Sequence, residues 1–145
     1  MVCRDKAGWQ VEDISNYGPN VVSFVLVAGC QRWYVVGVYV SLNDAPTIAR
    51  VEEALVQAVK GLEIILLGDI KSRLQELRNA QEEQLVTVVA ACSLEDMTNH
   101  LVPRGRYRVS RRWTWRMQRE GQKIMGPGDY VLCTSIYTFF DAGFR

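Results

Sequence analysis

Hydrophobic patterning divides the chain into strand-like and helix-like stretches. Val21–Ala28 and residues 33–40 are rich in β-branched and aromatic side chains and are separated by Gly29, Cys30, Gln31 and Arg32, which predicts an antiparallel hairpin. Asn43 or Asp44 can then cap a helix with Pro46 in its first turn. Ile48, Val51, Leu55, Val59 and Leu62 follow at helical spacing until Gly61 interrupts the pattern. The run from Glu63 to Leu67, apolar from Ile64 on and bounded by Gly61 and Gly68, is too short for a typical helix and predicts a buried strand with Asp69 at its carboxyl end. A second amphipathic helix is predicted over residues 80–92, with Leu85, Val88, Val89 and Cys92 on one stripe and Glu82 and Glu83 opposite. Three more strand-like pieces follow at residues 112–118, Asp129–Cys133 and 135–140, with Gly126, Pro127 and Gly128 turning the chain before the second. This order predicts an α/β domain.

Composition narrows the class without naming the chemistry. With 145 residues, 48% of them hydrophobic, one domain spanning residues 1–145 is expected. A net charge of +1 neither requires nor excludes a polyanionic partner, so the distribution of charge has to decide. Cys3, Cys30, Cys92 and Cys133 are scattered, with no C-x-x-C pair and no clustered histidine, so reduced thiols and an intracellular location, nuclear or cytoplasmic, are expected. No apolar run approaches the about 20 residues of a membrane span.

Two features could carry chemistry. Ligands of open α/β sheets collect beyond the carboxyl ends of strands, where Asp69 stands, although an aspartate there also serves as an Asx-turn or helix cap. Between residues 104 and 119 lie Arg104, Arg106, Arg108, Arg111, Arg112, Arg116 and Arg119, with no acidic residue among them and with Tyr107, Trp113 and Trp115 interleaved. Guanidinium groups bind phosphates bidentately and aromatic faces stack on bases, so the segment suits a nucleic-acid backbone; a solvated arginine face is the structural alternative. Strand alternation sets Arg112, Thr114 and Arg116 on one face and Trp113 and Trp115 on the other, which favours core tryptophans over stacking platforms. His100 is the only histidine, so chemistry needing a histidine pair is excluded.

The ordered pieces Tyr17-Gly18-Pro19-Asn20, Val36-Gly37-Val38-Tyr39, Ile65-Leu66-Leu67-Gly68-Asp69, Arg112-Trp113-Thr114-Trp115 and Gly128-Asp129-Tyr130-Val131-Leu132 resemble the endonuclease/exonuclease/phosphatase family. The likeness is nearest to endonuclease domains of non-LTR retrotransposons and host proteins derived from them. The resemblance implies a four-layered α/β/β/α sandwich and Mg²⁺-assisted hydrolysis of nucleic-acid phosphodiesters. Within it, Asp69 matches the aspartate that orients or activates the nucleophile, and Tyr39 the tyrosine beside the scissile phosphate. Thr114 matches a substrate-binding hydroxyl, and Asp129 an aspartate with a supporting hydrogen bond.

Departures from the family pattern shape the expectation. Lys71 stands where the family carries a phosphate-contacting asparagine, two residues after the aspartate. The family's N-terminal metal-binding Glu and its final Asp-His pair find no counterpart, so an incomplete sandwich, truncated at both ends, and no metal ligand of its own are expected. The reading is a diverged, inactive endonuclease domain that retains Mg²⁺ poorly and binds nucleic acid, DNA more than RNA, through Thr114, Lys71, Arg112 and Arg116. Copies could self-associate through an uncovered sheet surface. A non-catalytic binding module built on the arginine segment and a small-molecule phosphatase relative are the alternatives.

Overall fold

The computed structural model describes residues 8–41, 44–70, 80–96, 115–119, 122–126 and 129–134. In chain order these form β1 (Trp9–Asn16), β2 (Val21–Ala28), β3 (Gln31–Val40), α1 (Ala45–Val56), β4 (Glu63–Ile70), α2 (Ala80–Ala91), β5 (Glu95–Asp96), β6 (Trp115–Arg119), β7 (Gln122–Gly126) and β8 (Asp129–Cys133). Six strands make one mixed sheet in the order β1-β2-β3-β4-β8-β5, and β6 and β7 pair as a separate antiparallel ribbon. The hairpin of β2 and β3 is as the sequence predicts, whereas β3 and β4 run parallel, joined through α1. β8 then pairs antiparallel with β4.

The sheet has two apolar faces. On one, Val21 and Val25 of β2, Tyr34, Val36, Val38 and Val40 of β3, and Leu66 and Ile70 of β4 pack beneath Ile48, Val51 and Leu55 of α1 and Leu85 and Val88 of α2. Each fully buried aliphatic side chain contributes on the order of 1.5–3 kcal/mol relative to exposure, so this helix-covered face is the main core. The opposite face holds a second cluster, Trp33, Val35, Ile65 and Cys133, with Trp9, Phe24, Leu26 and Val131 packed against it. Burial on both faces explains why β4 reads as an unbroken apolar run rather than an alternation.

Helix α1 starts where its capping chemistry places it. The Thr47 amide donates to Asp44 Oδ1 at 3.2 Å, and the Ser41 hydroxyl donates to Asp44 Oδ2 at 3.1 Å. Burial alone would raise the Asp44 pKa, but the hydrogen bonds from Thr47 and Ser41 outweigh it and leave the carboxyl lowered. The helix ends earlier than the spacing predicts. Gln57 caps it at Val56, and Val59 is half exposed, because the chain must turn at Gly61 to enter β4. Leu62, the last residue of the predicted stripe, still reaches the main core from that turn. α2 matches its prediction to within a residue, and the predicted strand at residues 135–140 lies outside the described residues. Among the described residues no helix is long and apolar enough to cross a membrane. Among the described residues, Cys30 and Cys92 are free thiols.

A buried hydroxyl ties the sheet to α1. Tyr34 Oη donates to the Ala54 carbonyl at 2.9 Å. Burial, opposed by the hydrogen bond with Ser23 and reinforced by Tyr17, pushes its pKa from 10.0 to about 12. A folded-state pKa above the unfolded one means stability that is complete below pH 10 and lost as pH rises from there through about 12. Tyr34→Phe is expected to cost about 1 kcal/mol at neutral pH and to flatten the alkaline decline, read as urea midpoints between pH 8 and pH 12. An unchanged alkaline slope in the variant would refute this assignment.

Candidate active site

Three of the sequence-selected residues meet in one row. The β3–β4 register pairs Tyr39 with Asp69, and the β4–β8 register pairs Asp69 with Asp129, with no shift in either ladder. Neighbouring strands lie about 4.8 Å apart, so the row spans roughly 10 Å, enough to flank one phosphodiester group. Val38 and Val40 point into the helix-covered core, and alternation therefore puts Tyr39 on the opposite face. The same alternation puts Asp69, between Gly68 and Ile70, on that face. Tyr39 is 47% exposed, while Asp69 is half-buried with its Oδ1 shielded from solvent. The row thus presents a phenol to solvent and a carboxylate held back from it. At Asp129 the backbone register fixes the position, and the side chain lies outside the described set.

Local backbone chemistry fixes the row. Asp69 lies inside β4 rather than beyond it, because the strand continues through Gly68 to Ile70. Gly68 makes that continuation possible. Its φ is +150°, and a Cβ there would stand 1.9 Å from the Val38 carbonyl oxygen. On the other side, the Tyr39 amide donates to the Asn20 carbonyl at 2.9 Å, extending the row to the turn before β2. That turn is pinned by the Tyr17 amide on the Val21 carbonyl at 3.0 Å and by the Gly18 amide on Asn16 Oδ1 at 2.8 Å. The next row on the same face is apolar. Val22 pairs with Gly37, Gly37 with Leu67, and Leu67 with Val131, and Val22 and Leu67 are 36% and 40% exposed.

The remaining candidates are not placed by this geometry. Lys71, Arg112, Thr114 and the tryptophan at 113 lie outside the described residues. Arg116 has its backbone on β6, paired with Met125, and its side chain outside the described set, as has Trp115. Two contributors escaped the sequence reading, the Asn20 carbonyl and the Gly68 backbone. Gly68 was legible only as a strand boundary, since a glycine after an apolar run signals a turn far more often than a close approach between strands.

As chemistry, the row offers a phenolic donor for a non-bridging phosphate oxygen and a carboxylate that can orient or deprotonate water. Among the described residues no three His, Cys, Asp or Glu side chains converge on a metal position. A carboxylate such as Asp69 is a hard oxygen donor of the kind Mg²⁺ accepts, but one described carboxylate falls short of a resident site, and no step through a bound ion follows from this donor set.

Comparison with known proteins bears on the fold. No family model and no curated protein matches the sequence. Solved structures do. The endonuclease domain of TRAS1, a telomere-specific non-LTR retrotransposon, superposes with a TM-score of 0.62 at 14% identity, covering 92% of this chain and 58% of that one. An endonuclease/exonuclease/phosphatase family protein from Leptotrichia buccalis C-1013-b gives 0.52 at 14% identity, covering 79% and 42%. D. rerio TDP2, complexed with a single-strand DNA product, gives 0.51 at 14% identity, covering 90% and 55%. The chain therefore has the fold suspected from its motifs, that of the endonuclease/exonuclease/phosphatase proteins, and it spans about half the length of these structures.

Proposed function

We propose that this chain is a diverged retrotransposon-type endonuclease domain, one folding unit built on part of the α/β/β/α sandwich, that binds nucleic acid without cutting it. The row of Tyr39, Asp69 and Asp129 in register across three strands carries the reading, because it sets a phenol and a carboxylate side by side at the open end of a sheet face. The second apolar cluster, opposite the helices, supports a further layer against the sheet. In the bound state the Tyr39 hydroxyl donates to a phosphate oxygen, Asp69 holds a water beside it, and Asp129 supports Asp69. Mg²⁺, when present, would offset phosphate charge there.

Loss of turnover is supported by the residue that stands two places after Asp69. Lys71 puts an ammonium two residues from Asp69, able to attract phosphate as a point charge but not to activate water. Arginines at 112 and 116 add phosphate contacts, and DNA is the favoured polymer. The exposed row of Val22 and Leu67 is where copies of the chain would associate.

The test is supercoiled plasmid with Mg²⁺ or with chelator, alongside oligonucleotide binding in chelator. The expected result is binding in both conditions and no nicking above background. Mg²⁺-dependent nicking that disappears in Asp69→Ala would show an active enzyme instead, and absence of binding would remove the nucleic-acid reading.

A further inference from the structure

The row of Tyr39, Asp69 and Asp129 continues past β3 to the turn before β2. The β2–β3 ladder pairs Val22 with Gly37 and Val21 with Val38, and the Tyr39 amide donating to the Asn20 carbonyl at 2.9 Å adds one rung, so Asn20 stands opposite Tyr39. Val21 is packed in the helix-covered core, whereas Val22 is exposed on the face that carries Tyr39. The same alternation, carried one residue back from Val21, puts Asn20 on the Tyr39 face, with about 5 Å between the two Cβ atoms. Asn20 is half-buried there.

Neither usual reason for an asparagine in a turn applies to this one. Asparagine tolerates the left-handed region, but among the described non-glycine residues positive φ occurs at Asp13 and Ser93, and in this turn Gly18 supplies it, with φ +118°. Asparagine also ties down a turn through its own side chain, and here Asn16 does so, its Oδ1 accepting from the Gly18 amide at 2.8 Å. What β3 takes from Asn20 is the backbone carbonyl, which any residue supplies. Among the described residues the Asn20 carboxamide has no hydrogen-bond partner. Its two N–H donors stand beside the exposed Tyr39.

We infer that the Asn20 carboxamide is a further phosphate-binding group of this site, donating to a non-bridging oxygen of the phosphodiester that Tyr39 contacts. This rests on the nucleic-acid reading proposed above and gives the row a direction. Donors stand at Asn20 and Tyr39, and an acceptor follows at Asp69. A phosphodiester, which only accepts, is held on the β2–β3 side of the row, and a water, which can donate, takes the Asp69 side. The amide fixes the oxygen by hydrogen-bond geometry and adds no charge.

Fluorescence anisotropy with a labelled single-stranded oligonucleotide in chelator, across a salt series, compares the whole chain with Asn20→Ala and Asn20→Asp. Losing one hydrogen bond to a charged oxygen should weaken binding about tenfold or more in Asn20→Ala. The slope of log affinity against log salt should stay as it was, because a neutral amide releases no counterion. Asn20→Asp, close in shape but without donors and with an added negative charge, should bind more weakly still. The Asn20 side-chain NH₂ resonances of the unmutated protein should shift on adding oligonucleotide, a readout independent of any variant's folding. If the unmutated chain binds no oligonucleotide, this inference and the proposed function fall together. If it binds, but the Asn20 resonances stay in place or Asn20→Ala keeps full affinity, only the Asn20 assignment falls. A loss of affinity with a flatter salt slope would trace to a charged contact elsewhere and overturn it as well.

Discussion

Gly68→Ala is expected to destabilise the fold by about 3 kcal/mol or more, lowering the melting temperature by roughly 10 °C. Position 68 lies in the interior of β4, paired with Val38 on a parallel neighbour that is itself buried. A methyl group there would sit 1.9 Å from the Val38 carbonyl oxygen and 2.8 Å from its carbonyl carbon, and both are backbone atoms that no rotamer change can move aside. The φ of +150° adds conformational strain for any L side chain. Relief requires β3 and β4 to part at the rung next to Tyr39 and Asp69. Thermal unfolding of the variant measures the cost. A loss below about 1 kcal/mol would mean that the β3–β4 contact is looser than described.

What the sequence disclosed follows from how many faces each element buries. β2, β3 and β4 were legible because their β-branched and aromatic residues face packed surfaces, and α1 and α2 because their stripes recur at helical spacing. β1 left almost no signal: it is an edge strand whose residues are mostly exposed, with a shift in register between Glu12 and Ser15 and Asp13 at φ +51°. Without a buried face there is no alternation to read. In the candidate site, Asp69 and Tyr39 were legible through motif likeness, and the register shows them side by side. The approach of Arg50 to Gly18 was not legible, because it joins a helix residue to a glycine 32 positions away, which no local pattern encodes.

Trp33→Ala is expected to cost about 3–5 kcal/mol, whereas Val22→Ala and Leu67→Ala on the same sheet face should each cost under about 1 kcal/mol. Trp33 is 1% exposed and stacks on Trp9, with ring centroids 6.1 Å apart and planes 18° from parallel. It belongs to the cluster that faces away from both helices. Its burial cannot come from α1 or α2, so a large loss on truncation would measure a second packed layer, as the sandwich requires. Denaturant midpoints for the three variants, with unchanged m-values, compare the two ends of the face directly. If Trp33→Ala costs no more than Leu67→Ala, the second cluster is a surface patch and the sandwich reading loses its inner layer. If the gradient holds, the buried end bears the stability and the open end, carrying Tyr39, Asp69 and Leu67, is free to meet a ligand. Substitutions at the open end can then alter binding at little structural cost.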